Sequence, residues 1–178
     1  MKMGTPRQAE RVKLFLGIMF APDFALQELM ALLTARFGEV EADYGPVAFS
    51  WSDYYAREMG SGLLKYYALL KPTFGRDELP ALKLLTNDLE AGYARNGNRV
   101  VNIDPGYLAR DKLVLATTKD FYHRLYLGQG IYGEVTLHLR EGVYRHFSWT
   151  YPDYQEKGVH ELLFKGRASL VGELRKKT

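Results

Sequence analysis

The sequence predicts an α+β fold: a ferredoxin-like split β-α-β sheet with helices on one face, extended by a C-terminal β-hairpin and helix. Three observations carry this expectation. The first hundred residues alternate apolar runs and 3.6-period segments in the order strand, helix, strand, strand, helix, strand. Ile131, Val135, Leu137 and Leu139 alternate with Tyr132, Glu134, Thr136 and His138, which marks a half-buried strand. Residues 159–174 then place Leu162, Leu163, Leu170 and Leu174 on one helical face. The 178 residues, 47% apolar and 25% charged, suit a single domain over 1–178, with residues 1–10 as a loose tail.

Val12 to Phe20 is almost continuously apolar and reads as a buried strand. Lys13 interrupts it and no A-x-A pattern follows, so it is not taken as a signal peptide. Asp23 is placed to cap a helix whose Leu26, Leu29, Met30, Leu33 and Phe37 recur at helical spacing until Gly38. Residues 40–51 turn β-like around Tyr44-Gly45-Pro46, and a brief helical turn ends at Met59 before Gly60-Ser61-Gly62. Leu63 to Leu70 reads as a strand closed by Pro72. A second long helix runs from about Asp77 to Arg95, with Pro80 in its first turn and Asn96-Gly97 after it. Strands follow at 100–103 and 112–117. The hairpin then turns at Arg140-Glu141-Gly142 into Val143 to Trp149.

The absence of cysteine removes disulfides, thiol nucleophiles and thiolate metal sites, and fits a reducing, cytoplasmic setting. A net charge of +3 gives no basic stripe and does not argue for nucleic acid. No stretch approaches the roughly 18 to 20 apolar residues that span a bilayer, so no membrane partner is expected. Gly128, Gly130 and Gly133 match G-x-G-x-x-G by letter, but a strand rather than a helix follows, and the phosphate-binding geometry needs the helix. The phosphate-loop lysine motif, the G-x-S-x-G elbow and H-E-x-x-H are absent. His138 and His146 would meet across the hairpin as two metal ligands or as a plain surface pair, so the metal and cofactor question stays open.

Reactive side chains are densest between Asn102 and Arg124. Asp104 is a candidate general base or metal ligand, although Asp104-Pro105-Gly106 also fits a type II turn. Lys119, Asp120, His123 and Arg124 bring an imidazole beside two cations and a carboxylate, a set suited to holding a phosphate or carboxylate near neutral pH. His123, Asp104 and Asp120 are therefore the catalytic candidates, and Lys112, Lys119 and Arg124 the anion-binding ones. Tyr54, Tyr55, Tyr107 and Tyr151 would supply walls that offer both ring and hydroxyl. Asp53 and Glu58 accompany the first pair. Asp153 with Glu156 resembles a capping box, and Lys83, Asn87 and Glu90 read as the wet face of the second long helix. The expected role is binding of a small anionic or phosphorylated ligand, a nucleotide among the options. The alternative is a non-catalytic interaction module using tyrosines and Trp149.

The Val12-Lys13-Leu14-Phe15 run, the Tyr54-Tyr55 turn ending in Glu58-Met59-Gly60, and Thr86 to Glu90 carry a resemblance. So do Asn102 to Leu108, Lys112 to Asp120 with His123-Arg124, and Trp149 to Tyr154. Together they resemble a bacterial domain-of-unknown-function family whose members are often automatically labelled GTP-binding. The resemblance covers the chain from Val12 to about Leu170 and implies a soluble, cytoplasmic, stand-alone bacterial protein. It brings no activity and no catalytic residues, and the chain has neither the phosphate loop nor the guanine-reading motif that the label would need.

Overall fold

A computed structural model describes residues 4–52 and 54–176; Asp53 lies outside them. Eight strands form one antiparallel sheet: β1 (Val12–Phe20), β2 (Val40–Ala48), β3 (Leu64–Phe74), β4 (Val101–Leu108), β5 (Lys112–Thr117), β6 (Leu125–Gly128), β7 (Ile131–Arg140) and β8 (Val143–His146). The order is β2-β3-β1-β4-β5-β7-β6, with β8 pairing the remaining length of β7. Four helices accompany it: α1 (Leu26–Phe37), α2 (Ala56–Met59), α3 (Leu79–Tyr93) and α4 (Lys157–Arg175).

All nine residues of β1 are buried because both of its faces are covered. Leu14, Leu16, Ile18 and Phe20 pack under α1 and α3 with Leu26, Leu29, Leu33, Leu82 and Leu89. Phe15, on the alternate face, packs with Tyr67, Leu69, Val159, Leu162 and Leu163 beneath α4. Successive strand residues point to opposite sides, so helices on one face hold for α1 and α3 only, and α4 lies on the other. A strand buried on both sides has no reason to alternate, which explains the unbroken apolar run. The exception is Lys13, whose ammonium is neutralised by Glu41 at 2.8 Å and by Glu173 of α4, and donates to the Lys71 carbonyl at 2.6 Å.

Several local expectations are corrected. The N-cap of α1 is Ala25, and Asp23 instead pairs with Arg95. β3 continues through Pro72 to Phe74, because the β1–β3 register slips there and a bulge tolerates a residue without an N–H. β4 runs straight through Asp104-Pro105-Gly106, with Leu16 opposite Pro105, so no type II turn forms. Gly128 to Gly130 is the tight link between β6 and β7, with Gln129 also at positive φ, as expected of a loop rather than a phosphate cradle. Among the described residues no helix is long and apolar enough to cross a membrane.

Candidate functional site

The sheet is not continuous between β4 and β5. They pair only where Gly106, Tyr107 and Leu108 face Leu115, Val114 and Leu113. A Cβ on Gly106 would stand 2.4 Å from the Val114 carbonyl oxygen, so this close approach requires glycine. Before Gly106 the edge of β4 is open on the β5 side. Pro105 is tolerated there because its missing N–H faces no partner strand. Two residues earlier, Ile103 has a full peptide to satisfy on the same edge, and α3 satisfies it. The Ile103 N–H donates to Glu90 Oε1 at 2.8 Å, and Lys83 Nζ donates to the Ile103 carbonyl at 2.8 Å. Lys83 and Glu90 are 6% and 5% exposed. The stripe expected to face water thus stands in for a missing strand.

The divergence opens a cavity of about 370 Å³ between the strand ends, with Lys65, Lys83, Arg99, Lys119 and Arg124 as its cations. Its floor follows from register. Gly17 of β1 lies between Tyr67 and Asp104, and Met19 lies between Lys65 and Asn102, so these four neighbours share one face. The Tyr154 ring packs over Gly17, where a Cβ would come within 2.6 Å of the phenol oxygen. Tyr154 and Asp153 belong to a short 3-10 turn, Pro152–Gln155, that precedes α4.

Asp104 sits between two buried ammonium groups. Lys65 Nζ is 3.7 Å from Oδ2 and Lys83 Nζ is 3.9 Å from Oδ1, while Asn102 Nδ2 donates to Oδ2 at 3.0 Å. Lys65 also lies 3.4 Å from Asp153 Oδ2, which accepts the Tyr67 O–H at 2.8 Å. Charge-assisted bonds normally close to about 2.7 to 2.9 Å, so both ammonium groups keep protons available to a further acceptor. Three aromatic rings, of Phe49, Tyr67 and Tyr154, lie within 5.8 Å of the Lys65 nitrogen and hold its charge in place. Burial pushes the Glu90 carboxyl above its ordinary value, opposed by Lys83. Burial likewise raises the Tyr154 phenol, reinforced by Asp104 and Asp153, so it stays an O–H donor. That hydroxyl has no hydrogen-bond partner among the described residues.

Arg99 is committed. Its Nε and Nη2 form a fork on Glu58 at 2.7 Å each, and Nη1 donates to Asn102 Oδ1 at 2.7 Å. These bonds hold Glu58 below the usual carboxyl range and raise Arg99 further. The mouth is aromatic, with Tyr54 and Tyr151 exposed and Tyr55 beside Tyr54 at right angles. Lys119 Nζ lies 5.6 Å from the Tyr54 ring centroid. Among the described residues, Lys119 is the cavity cation that has no carboxylate partner.

Six of the ten candidate residues therefore meet at this cavity: Asp104, Lys119, Arg124, Tyr54, Tyr55 and Tyr151. Four do not. His123 stands behind the wall, its Nε2 2.9 Å from Glu134 Oε2, the same oxygen that accepts Arg124 Nε–H at 2.9 Å. Its ring stacks on Trp149 at 4.7 Å, which leaves the imidazole placing Glu134 and Arg124 rather than facing the cleft. Asp120 is exposed on the loop before β6. Lys112 begins β5 at the far end, opposite His138, and Tyr107 packs with Val114 and Leu79 under the Arg76 guanidinium. Asp153 caps nothing, because its carboxylate is turned to Tyr67 and Lys65, while Glu156 accepts from Tyr44 and Trp51. His138 faces Arg145 and His146 faces Leu137 across the hairpin, and no metal-binding group of three His, Asp or Glu side chains forms among the described residues.

Lys65, Lys83, Glu90, Arg99, Asn102, Glu134, Asp153 and Tyr154 are among the site residues that sequence reasoning left aside. Lys65 carried a usable signal, a charge inside an otherwise apolar strand. For Lys83 and Glu90, seven apart on one helix, the signal was their coincidence with the stretch facing the Pro105 edge.

The domain-of-unknown-function family DUF4416 matches residues 10–169. The chain belongs to this family. The match spans every element from β1 into the last helix, so the DUF4416 domain contains the cleft entire. Comparisons with curated proteins and with solved structures return no match.

Proposed function

We propose that the cleft of this DUF4416 domain binds a small anionic ligand, phosphorylated or carboxylated, between the lysines of its floor and the tyrosines of its mouth. The observation that carries this reading is the pair of buried ammonium groups on Asp104, each held beyond contact distance, in a cavity whose fifth cation, Lys119, lacks a carboxylate partner among the described residues. A volume of about 370 Å³ falls within the range of small-molecule sites. The β2-β3-β1-β4 order, with α1 and α3 on one face, supports a ferredoxin-like split β-α-β reading of the first half.

Thermal melts with inorganic phosphate test the proposal. Phosphate should raise the melting temperature, and Lys119→Ala should reduce that rise. The unliganded variant should stay within about 0.5 kcal/mol of the wild type, as an exposed side chain with no ion pair would. A phosphate response that Lys119→Ala leaves intact would place the anion elsewhere.

A second reading, self-association, rests on Phe121, Tyr122, Leu125, Tyr126 and Leu127, which are all exposed beside the edge strand β6. An unpaired edge flanked by apolar side chains can pair with the same edge of a second copy. Trp149 stacks between His123 and Phe147 and meets the Tyr122 ring of this surface edge-on at 6.3 Å. Light scattering should show a dimer that Leu125→Lys dissociates, and a monomer at all concentrations removes this reading.

A further inference from the structure

We infer that the cleft is a two-ended site for a phosphorylated carboxylic acid, with the carboxylate on the floor and the phosphate at the mouth. This rests on the cleft binding an anion and goes on to say which one. Two independent observations mark the ends.

The first is the Tyr154 hydroxyl. Tyr154 is 2% exposed, lines the cavity, and its O–H has no hydrogen-bond partner among the described residues. An unsatisfied buried hydroxyl is costly, and this one, lying against Gly17 on the cavity floor, gains a partner when an acceptor enters beside it. Lys65 and Lys83, 5% and 6% exposed, line the same cavity and add spare ammonium protons. The floor is not strongly cationic, however. Asp104, Asp153 and Glu90 together outweigh the charge of Lys65 and Lys83, so a phosphate dianion fits the floor worse than a compact monoanion does. Asp104 can in addition accept a hydrogen bond from a hydroxyl next to that carboxylate.

The second observation lies at the other end. Lys119 is exposed, has no carboxylate partner among the described residues, and is joined by Arg124, whose Nη1 already donates to the Lys119 carbonyl at 3.1 Å. Glu134 offsets only one of these two charges. A net positive pair, an exposed ammonium beside a mostly buried guanidinium, suits a phosphate, which brings two charges and keeps part of its hydration. The Tyr54, Tyr55 and Tyr151 side chains line the same mouth, with Tyr54 beside Lys119.

Three probes of matched skeleton separate the ends: glycerate with the carboxylate alone, glycerol 3-phosphate with the phosphate alone, and 3-phosphoglycerate with both. Calorimetric titration of the wild type should give 3-phosphoglycerate about tenfold or more tighter binding than either single-ended probe. Tyr154→Phe should weaken glycerate and 3-phosphoglycerate about tenfold and leave glycerol 3-phosphate unchanged. Lys119→Ala should weaken both phosphates and spare glycerate. The unliganded Tyr154→Phe protein should melt no lower than the wild type, since the hydroxyl it removes is unpaired. Equal affinity for 3-phosphoglycerate and glycerol 3-phosphate, or a Tyr154→Phe effect common to all probes, overturns the two-ended site while leaving an anion site standing. No binding by any of the three, or by inorganic phosphate, overturns the anion-binding reading itself.

Discussion

Replacing Lys83 by Met tests whether α3 seals the open edge of β4. The wild-type ammonium donates to the Ile103 carbonyl at 2.8 Å and faces Glu90 and Asp104 at 3.9 Å each. Methionine has a comparable reach but no donor. It orphans a buried carbonyl, which costs about 1 to 3 kcal/mol, and leaves Glu90 with Arg99 as its remaining close cation. Breaking a buried charge pair by removing one partner costs about 3 to 5 kcal/mol, but the loose 3.9 Å spacing and the apolar gain of the methionine chain reduce that share. A net loss of about 2 to 3 kcal/mol follows, or roughly 4 to 12 °C in melting temperature for a domain of this size. Urea unfolding followed by circular dichroism reads it directly, with Lys157→Met, an exposed lysine, as the control within about 0.5 kcal/mol. If Lys83→Met matched that control, the Ile103 carbonyl would be satisfied by water in the cleft. The edge would then be wet rather than sealed, and the structural account of the lysine would fail.

Two further outcomes follow from the same region. Glu90→Gln keeps an acceptor for the Ile103 N–H but removes a carboxyl that burial has raised above 4.5. Between that value and the raised one, the native state binds more protons than the unfolded state, so this group's contribution to stability falls as pH rises. The stability of Glu90→Gln relative to the wild type should therefore improve from about pH 4 to about pH 7 in denaturant melts. A relative stability that is flat or worsens over that interval contradicts the assignment. Gly106→Ala puts a methyl 2.4 Å from the Val114 carbonyl oxygen, a backbone atom that cannot swing aside. It should cost about 2 kcal/mol or more by forcing β4 and β5 apart, and hydrogen exchange should show the loss concentrated at residues 106–108 and 113–115.

Apart from β6, the element order, the three long helices and the late hairpin were legible in the sequence because each rests on a local period. What was not legible depends on which edges meet. Pro105-Gly106 has the letters of a turn, and only the partner strands reveal that the proline faces an empty edge while the glycine faces a crowded one. Lys83 and Glu90 carry the letters of a solvated stripe, and only the gap beside Ile103 turns them inward. β6 escaped notice because its side chains are exposed on both sides of the strand, which leaves no alternation to read. The candidate site was half legible for a related reason. Asp104, Lys119 and Arg124 lie close in sequence and meet, whereas Lys65, Asp153 and Tyr154 arrive from distant strands and turns. His123 drew notice by its chemistry, yet one carboxylate and one indole suffice to hold it out of the cleft.

The sandwiching of β1 bears on how the molecule is made. Translation delivers this central strand before any of the layers that cover it, and α4, the cover of its second side, emerges last. Until then Phe15 and its neighbours remain sticky and bare on a nascent chain, and Lys13 waits for Glu173. Ribosome-bound chains halted before α4 should accordingly hold on to chaperones that the finished protein releases.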